Sequence, residues 1–249
     1  MSVCRTNVLG GHISVCKACG TESISYNSCR NRHCPKCQAT NRERWIIDRE
    51  SELLPVPYYH MVFTLPHQFN ELLPRHDKEV YKALFSASWQ TIKVFAADPK
   101  YLGAKTGMVA ILHTWGQQLW RHPHVHCIVP GGGITPSGKW KACKYSKKYL
   151  FPKRALSIVF RAKFMAALRK QIDLPQHIAK QVFSTKWVVY AKQPFASPKT
   201  VVEYLGRYTH KIAISNHRLV DVNENGVTFH YKDYRDAAKK KQTDRKSVV

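Results

Sequence analysis

Two short stretches of this chain carry residue types that can cut a phosphodiester. The first is His122-Pro123-His124-Val125-His126. A strand alternates its side chains with period two, so His124 and His126 project from one face and can share a divalent cation. The second is Tyr204-Leu205-Gly206-Arg207-Tyr208, whose phenols at i and i+4 lie on one side of a helix. Paired imidazoles for an ion and paired phenols as nucleophiles point to DNA strand cleavage through a phosphotyrosine bond.

Two histidines leave an ion short of ligands. Gln117 precedes His124 near the end of the preceding strand, and pairing of the two strands would bring its amide oxygen to the metal face. Gln118, His113 and a ligand from the tyrosine-bearing helix are the alternates. Mixed His/Gln ligation suits Mg²⁺ or Mn²⁺ with positions left for phosphate oxygens. The ion would polarise the scissile phosphate and orient it for in-line attack. A phenol titrates near ~10, so the nucleophile needs a cation close by, and Arg207 and Lys211 are the nearest in sequence. Attack by the phenol stores the phosphodiester energy in a protein–DNA linkage, and two tyrosines allow one linkage per DNA end.

Six of the eight cysteines fall within the first 37 residues. Cys16-x2-Cys19 and Cys34-x2-Cys37 have near zinc-ribbon spacing, and four thiolates from two tight turns close a tetrahedral structural Zn²⁺ site. Lys17, Arg30, Arg32 and Lys36 partly offset the thiolate charge and are placed to touch phosphates. Cys4, Cys29, His12 and His33 are left as substitute ligands, as helpers for a second ion, or as free thiols and loop imidazoles.

The elements that must hold these groups follow from periodicity and punctuation. A charged helix over 38–54, closed by Pro55 and Pro57, separates a small module from a core. Strands are expected over 57–65, 107–115, 124–130 and 185–192, the second and third as an antiparallel pair. Helices are expected over 77–97 and 152–172. Ser197-Pro198 caps and opens a helix through Tyr208, and 211–231 form a hairpin turning at Asn223 to Gly226. There is no strict βαβ rhythm, which favours an α+β fold with an antiparallel sheet and flanking helices. The expected division is 1–40 as zinc-binding module, 41–56 as linker helix, 57–236 as core and 237–249 as a solvated basic tail.

Composition sets the partner class. Forty Lys+Arg against sixteen Asp+Glu give a formal charge of +24, which calls for a polyanion. A bilayer surface is the competing partner, but no apolar run approaches the ~20 residues of a membrane span and no signal peptide opens the chain. Clustered cysteines without a secretory signal indicate a reducing, cytoplasmic setting, on the nucleoid. Trp115, Trp120, Trp140, Tyr145 and Tyr149 sit among Arg121, Lys139, Lys141, Lys144, Lys147 and Lys148. Rings that stack bases among cations that track phosphates favour single-stranded DNA.

The run Tyr26-Asn27-Ser28-Cys29-Arg30-Asn31-Arg32-His33-Cys34-Pro35-Lys36-Cys37 resembles the zinc-binding region of bacterial insertion-sequence transposases of the two-tyrosine HUH class. The stretches 113–117 and 122–126 are similar to that family's metal-binding block, and Tyr204-x3-Tyr208 to its nucleophile helix. The resemblance spans about 11–236. It implies rolling-circle-like transposition: cleavage of single-stranded DNA at transposon ends, a 5′-phosphotyrosine intermediate, a free 3′-OH, and strand transfer. It also implies an HUH endonuclease-like core with His124 and His126 on a central strand, Tyr204 and Tyr208 as nucleophiles, and Gln117 as third ligand. The family usually has a helical segment before its first cysteines and continues past Val249, so the chain resembles a truncated gene product. Dimerisation stays open. A plasmid replication initiator or conjugative relaxase would share the chemistry, and a catalytically silent DNA-binding remnant would keep only the zinc module and the charge.

Overall fold

The computed structural model describes residues 3–144, 150–192, 195, 197–209, 213–232 and 241–246, excepting the side chains at 198, 199, 207–209, 216 and 241–245. The chain divides into two compact units, one of Glu50–Leu205 and one of Met1–Arg49 with Gly206–Val249.

The larger unit is built on a four-stranded antiparallel sheet. Its strands are β3 (Tyr58–Thr64), β4 (Val109–Trp115), β5 (Arg121–Pro130) and β8 (Val188–Ala191), in the order β4-β5-β3-β8. The 107–115 and 124–130 segments pair as expected, and β5, which carries His124 and His126, is an inner strand. Alternation gives the sheet two unlike faces. Tyr59, Met61, Phe63, Val125, Cys127, Val129, Val189 and Ala191 form the apolar face, each less than a tenth exposed.

That face is covered by α2 (Leu73–Ala97) and α3 (Lys153–Arg169), which pack on each other. Their buried residues recur at helical spacing: Val80, Leu84, Ala87, Ile92 and Phe95 on α2, and Leu156, Phe160, Phe164 and Leu168 on α3. Phe63, Phe69, Phe160, Phe164 and Trp187 meet with ring centroids 4.9–5.6 Å apart. Each such ring stabilises the core by ~1.5–3 kcal/mol through burial. The buried hydroxyls of Ser88 and Thr91 donate to the carbonyls of Leu84 and Ala87, so they enter the core satisfied.

Between these elements lie a hairpin, β6 (Gly132–Ile134) with β7 (Trp140–Ala142), and a short helix α4 (Gln176–Ser184) that no sequence signal had singled out. Helix α4 buries only Ile178 and Val182, one stripe of two turns, too short for periodicity to register. Helix α5 (Pro198–Thr209) opens as expected, with the Thr200 amide donating to Ser197 Oγ at 3.3 Å.

The smaller unit holds the hairpin β1 (Gly11–Val15) and β2 (Glu22–Tyr26), helix α1 (Pro35–Glu50), and a three-stranded sheet of β9 (Leu219–Asn223), β10 (Gly226–Lys232) and β11 (Lys241–Lys246). Two expectations change here. The β9–β10 hairpin, which turns at Glu224-Asn225 as foreseen, groups with the amino-terminal segment rather than with the 57–236 core. The supposed solvated tail supplies β11, paired with β10 from Val227↔Lys246 to Lys232↔Lys241. Strand pairing is a backbone bond, and a run of charged residues can make it while its composition suggests coil.

Candidate active site and zinc module

The second face of the sheet carries the chemistry. The β4–β5 register sets His113 opposite His124, and the β3–β5 register sets Val62 opposite His126 and His60 opposite Ile128. Residues directly opposite share a face, so His60, His113, His124 and His126 all project from the side away from α2 and α3. All four are buried, His60 almost completely.

One ring nitrogen from each of His113, His124 and His126 lies within 4.8 Å of the others. His113 Nδ1 and His124 Nε2 are 3.2 Å apart. Metal–nitrogen bonds of about 2.1 Å at right angles would space two nitrogens by about 3.0 Å, so the pair fits a shared ion. His124 Nδ1 sits 2.6 Å from the carbonyl oxygen of His122. That carbonyl can only accept, so it fixes the proton on Nδ1 and leaves the lone pair on Nε2.

The structure brings a third imidazole, His113, to His124 and His126. Gln117 lies beyond the paired residues, half-buried in the turn closed by the Leu119 amide on the Gly116 carbonyl. Antiparallel pairing brings the directly opposed residue to His124, and that residue is His113, one of the alternates.

His60 was not anticipated. Its Nε2 is 2.9 Å from His126 Nδ1, and the two ring planes are parallel to within 2°. Burial, then the charge of Lys192, then His124 hold His60 well below the ordinary imidazole value, at about 4, so it is neutral near pH 7. The only hint in the sequence was a lone histidine within the apolar run 57–65.

Tyr204 of α5 reaches the same group. Its ring is 5.1 Å from that of His60, edge-on at 65°, and 5.5 Å from Phe195. Lys192 Nζ stands 5.9 Å over the Tyr204 ring. Lys192 is thus a cation close to the Tyr204 ring, where the sequence points instead to Arg207 and Lys211. The side chains of Arg207 and Tyr208, and all of Lys211, lie outside the described residues, as do Tyr145, Tyr149, Lys147 and Lys148. Arg121 is exposed at the start of β5, and Trp120 and Trp140 are 62% and 39% exposed.

In the smaller unit the cysteines separate. Cys34 and Cys37 meet Cys4 and Cys29, with one sulfur from each within 4.8 Å of the others. The Cys4–Cys37 and Cys29–Cys37 sulfur distances are 3.6 and 3.8 Å. A tetrahedron of 2.3 Å zinc–sulfur bonds has an edge of about 3.8 Å, so this thiol set fits Zn²⁺. Cys16 and Cys19, expected as the other half of the site, stand exposed at the tip of the β1–β2 hairpin. They lie in a tight turn in which Gly20 has φ +70°. The spacing identified the Cys-x-x-Cys pairs, but the fold joins the second pair to Cys4 and Cys29.

Cys34 precedes α1, and the Cys37 amide donating to its sulfur pulls it down to about 6. Cys4 goes the other way. The Cys29 amide donates to its sulfur, yet burial and the neighbouring thiols push it up to about 11. The Thr21 hydroxyl and amide bring Cys19 down to about 7. Arg30 and Arg32 are exposed beside the cluster, while Lys36 Nζ donates to the Cys4 carbonyl at 2.9 Å and ties the loop to the helix.

Comparison with known proteins finds transposase relatives. A family model described as "Putative transposase" matches residues 107–248, and one described as "Transposase zinc-binding domain", of the IS91 type, matches residues 1–65. The chain is 45% identical to the "Putative transposase y4qJ" of Sinorhizobium fredii, over 97% of this chain and 65% of that protein. It is 29% identical to the transposase for insertion sequence element IS801 of Pseudomonas savastanoi pv. phaseolicola, over 98% of this chain and 62% of that protein. The chain thus spans somewhat under two thirds of these relatives' lengths. A solved structure of TrwC complexed with a 27-mer DNA comprising the recognition hairpin and cleavage site aligns over 64% of this chain and 68% of that one, with a TM-score of 0.35 and 16% identity.

Proposed function

The chain belongs to the family of IS91-type insertion-sequence transposases, and we propose that its larger unit nicks single-stranded DNA at transposon ends with Tyr204 as the nucleophile. The observation that supports this most is the continuity of the site. Three imidazoles converge, His60 touches one of them, and the Tyr204 ring lies against His60.

The reaction balances without an outside reagent. The Tyr204 phenolate oxygen forms a bond to phosphorus, the bond to the 3′ oxygen breaks, and that oxygen takes a proton. The products are a 5′-phosphotyrosine and a free 3′-OH, which can reverse the step on another strand. Lys192, close to the Tyr204 ring, is proposed to supply positive charge at this phenol. Buried His113, His124 and His126 would hold a divalent ion, which supplies Lewis-acid polarisation of the phosphate when bound. An all-imidazole set suits Mn²⁺ better than Mg²⁺, which prefers oxygen ligands. Tyr208, one turn on, is proposed as the second nucleophile.

Cys4, Cys29, Cys34 and Cys37 are proposed to hold a structural Zn²⁺, with Arg30, Arg32, Arg121, Arg207 and Lys211 contacting phosphates. Among the described residues no helix is long and apolar enough to cross a membrane. A cytoplasmic protein acting on the nucleoid fits this function.

The test uses labelled single-stranded oligonucleotides from both flanks of the gene. The wild type should cut them in Mn²⁺, whereas Tyr204→Phe and His113→Ala should bind without cutting, because phosphate charge dominates affinity. Undiminished cutting by either variant would overturn the assignment.

A further inference from the structure

We propose that His60 is a positioning residue for the ion site: its Nε2 accepts the Nδ1–H of His126 and so keeps the other nitrogen of His126 available to the metal. The inference rests on the ion-site reading above.

The argument is one of tautomers. A neutral imidazole has one N–H and one lone pair. His126 Nδ1 and His60 Nε2 are 2.9 Å apart, so one of them donates to the other. With His60 as donor, the Nδ1 lone pair of His126 is consumed, its proton sits on Nε2, and His126 cannot bind an ion. With His60 as acceptor, the His126 proton sits on Nδ1 and Nε2 carries the lone pair. Only the second arrangement lets His126 join His113 and His124 as a ligand. It parallels His124, whose Nδ1 faces the His122 carbonyl at 2.6 Å. A carbonyl enforces that choice by itself, but a histidine must first place its own proton on the far nitrogen. His60 therefore couples the ion site to whatever lies on its other side.

The proposed nucleophile lies against the same ring. The acceptor form of His60 carries its proton on Nδ1, a buried nitrogen with no hydrogen-bond partner among the described residues. The His60 ring is 1% exposed and lies edge-on to Tyr204, with centroids 5.1 Å apart. A buried N–H without an acceptor is costly, and an anionic oxygen brought within reach of Nδ1 satisfies it. Ion binding at His126 and an anion at His60 Nδ1 thereby favour the same proton arrangement of His60.

Calorimetric titration of the whole chain with Mn²⁺ tests this without relying on cleavage. His60→Phe keeps the ring volume and removes the acceptor, while His60→Gln restores an acceptor oxygen. Wild type should bind Mn²⁺ in a manner lost on His113→Ala. His60→Phe should bind it 10–100-fold more weakly, the range seen when a ligand histidine loses its outer partner. His60→Gln should recover most of that loss, with thermal midpoints showing both variants folded. Wild-type affinity in His60→Phe would overturn the proposal while leaving the ion site standing. Equal weakening in a folded His60→Gln would also overturn it, since the acceptor would then be irrelevant. Failure of the wild type to bind Mn²⁺ would remove the ion site and this proposal together.

Discussion

Burial of a neutral His60 in the sheet should make the fold sensitive to mild acid. In the unfolded chain this imidazole protonates near its ordinary 6.5, whereas in the fold burial and the Lys192 charge delay protonation to about 4. Its folded pKa is depressed, so the unfolded chain binds the proton first and stability falls as pH falls. The contribution is complete above 6.5 and lost by about pH 4, at up to ~1.4 kcal/mol per pH unit and roughly 3 kcal/mol in all. Urea unfolding followed by tryptophan fluorescence suits the measurement, since Trp89, Trp115, Trp120, Trp140 and Trp187 all lie in the Glu50–Leu205 unit. Wild type and His60→Gln would be compared from pH 7.5 to 4. Acid effects common to both proteins, including zinc loss from the smaller unit, cancel in the difference. The stability of wild type relative to the variant should shrink by roughly 3 kcal/mol across that window. A constant difference would refute the reasoning and place the His60 proton elsewhere.

Three further outcomes follow from the geometry. Cys4→Ser and Cys29→Ser should lose the bound zinc, whereas Cys16→Ala and Cys19→Ala should keep it, as metal content after gel filtration would show. Mn²⁺ should bind the larger unit's histidines roughly tenfold or more tighter than Mg²⁺ by titration calorimetry, because imidazole is a poor Mg²⁺ ligand. Gly206→Ala should destabilise by about 1 kcal/mol in a thermal melt despite the better helix former, because overpacking outweighs the gain in propensity. Its Cβ would meet Ile46 Cγ1 and Cδ1 at 2.8 Å.

The inner strand and its two histidines were legible in the sequence because alternation within one strand is a local property. So was α5, whose Ser-Pro opening is a local cap signal. Which residue of the preceding strand stands opposite His124 was not, since the pairing register of β4 with β5 decides it. His60 and Lys192 come from β3 and the end of β8, distant in sequence from both motifs, and no spacing rule connects them. The cysteines show the same limit. Two Cys-x-x-Cys pairs suggested one site, yet a loop cysteine at position 4 and another at position 29 fold onto the second pair. Strand β11 was hidden by its charge, because pairing depends on the backbone rather than on side-chain polarity.

The most direct test of the central claim is to map the covalent bond. The protein would be incubated with single-stranded flanking DNA and Mn²⁺, digested with nuclease and protease, and its peptides weighed by mass spectrometry. The account predicts a 5′-linked nucleotide on the peptide containing Tyr204, at the Tyr204 phenol. Cleavage that leaves a free 5′-phosphate and no modified tyrosine, or a linkage that persists unchanged in Tyr204→Phe, would contradict it.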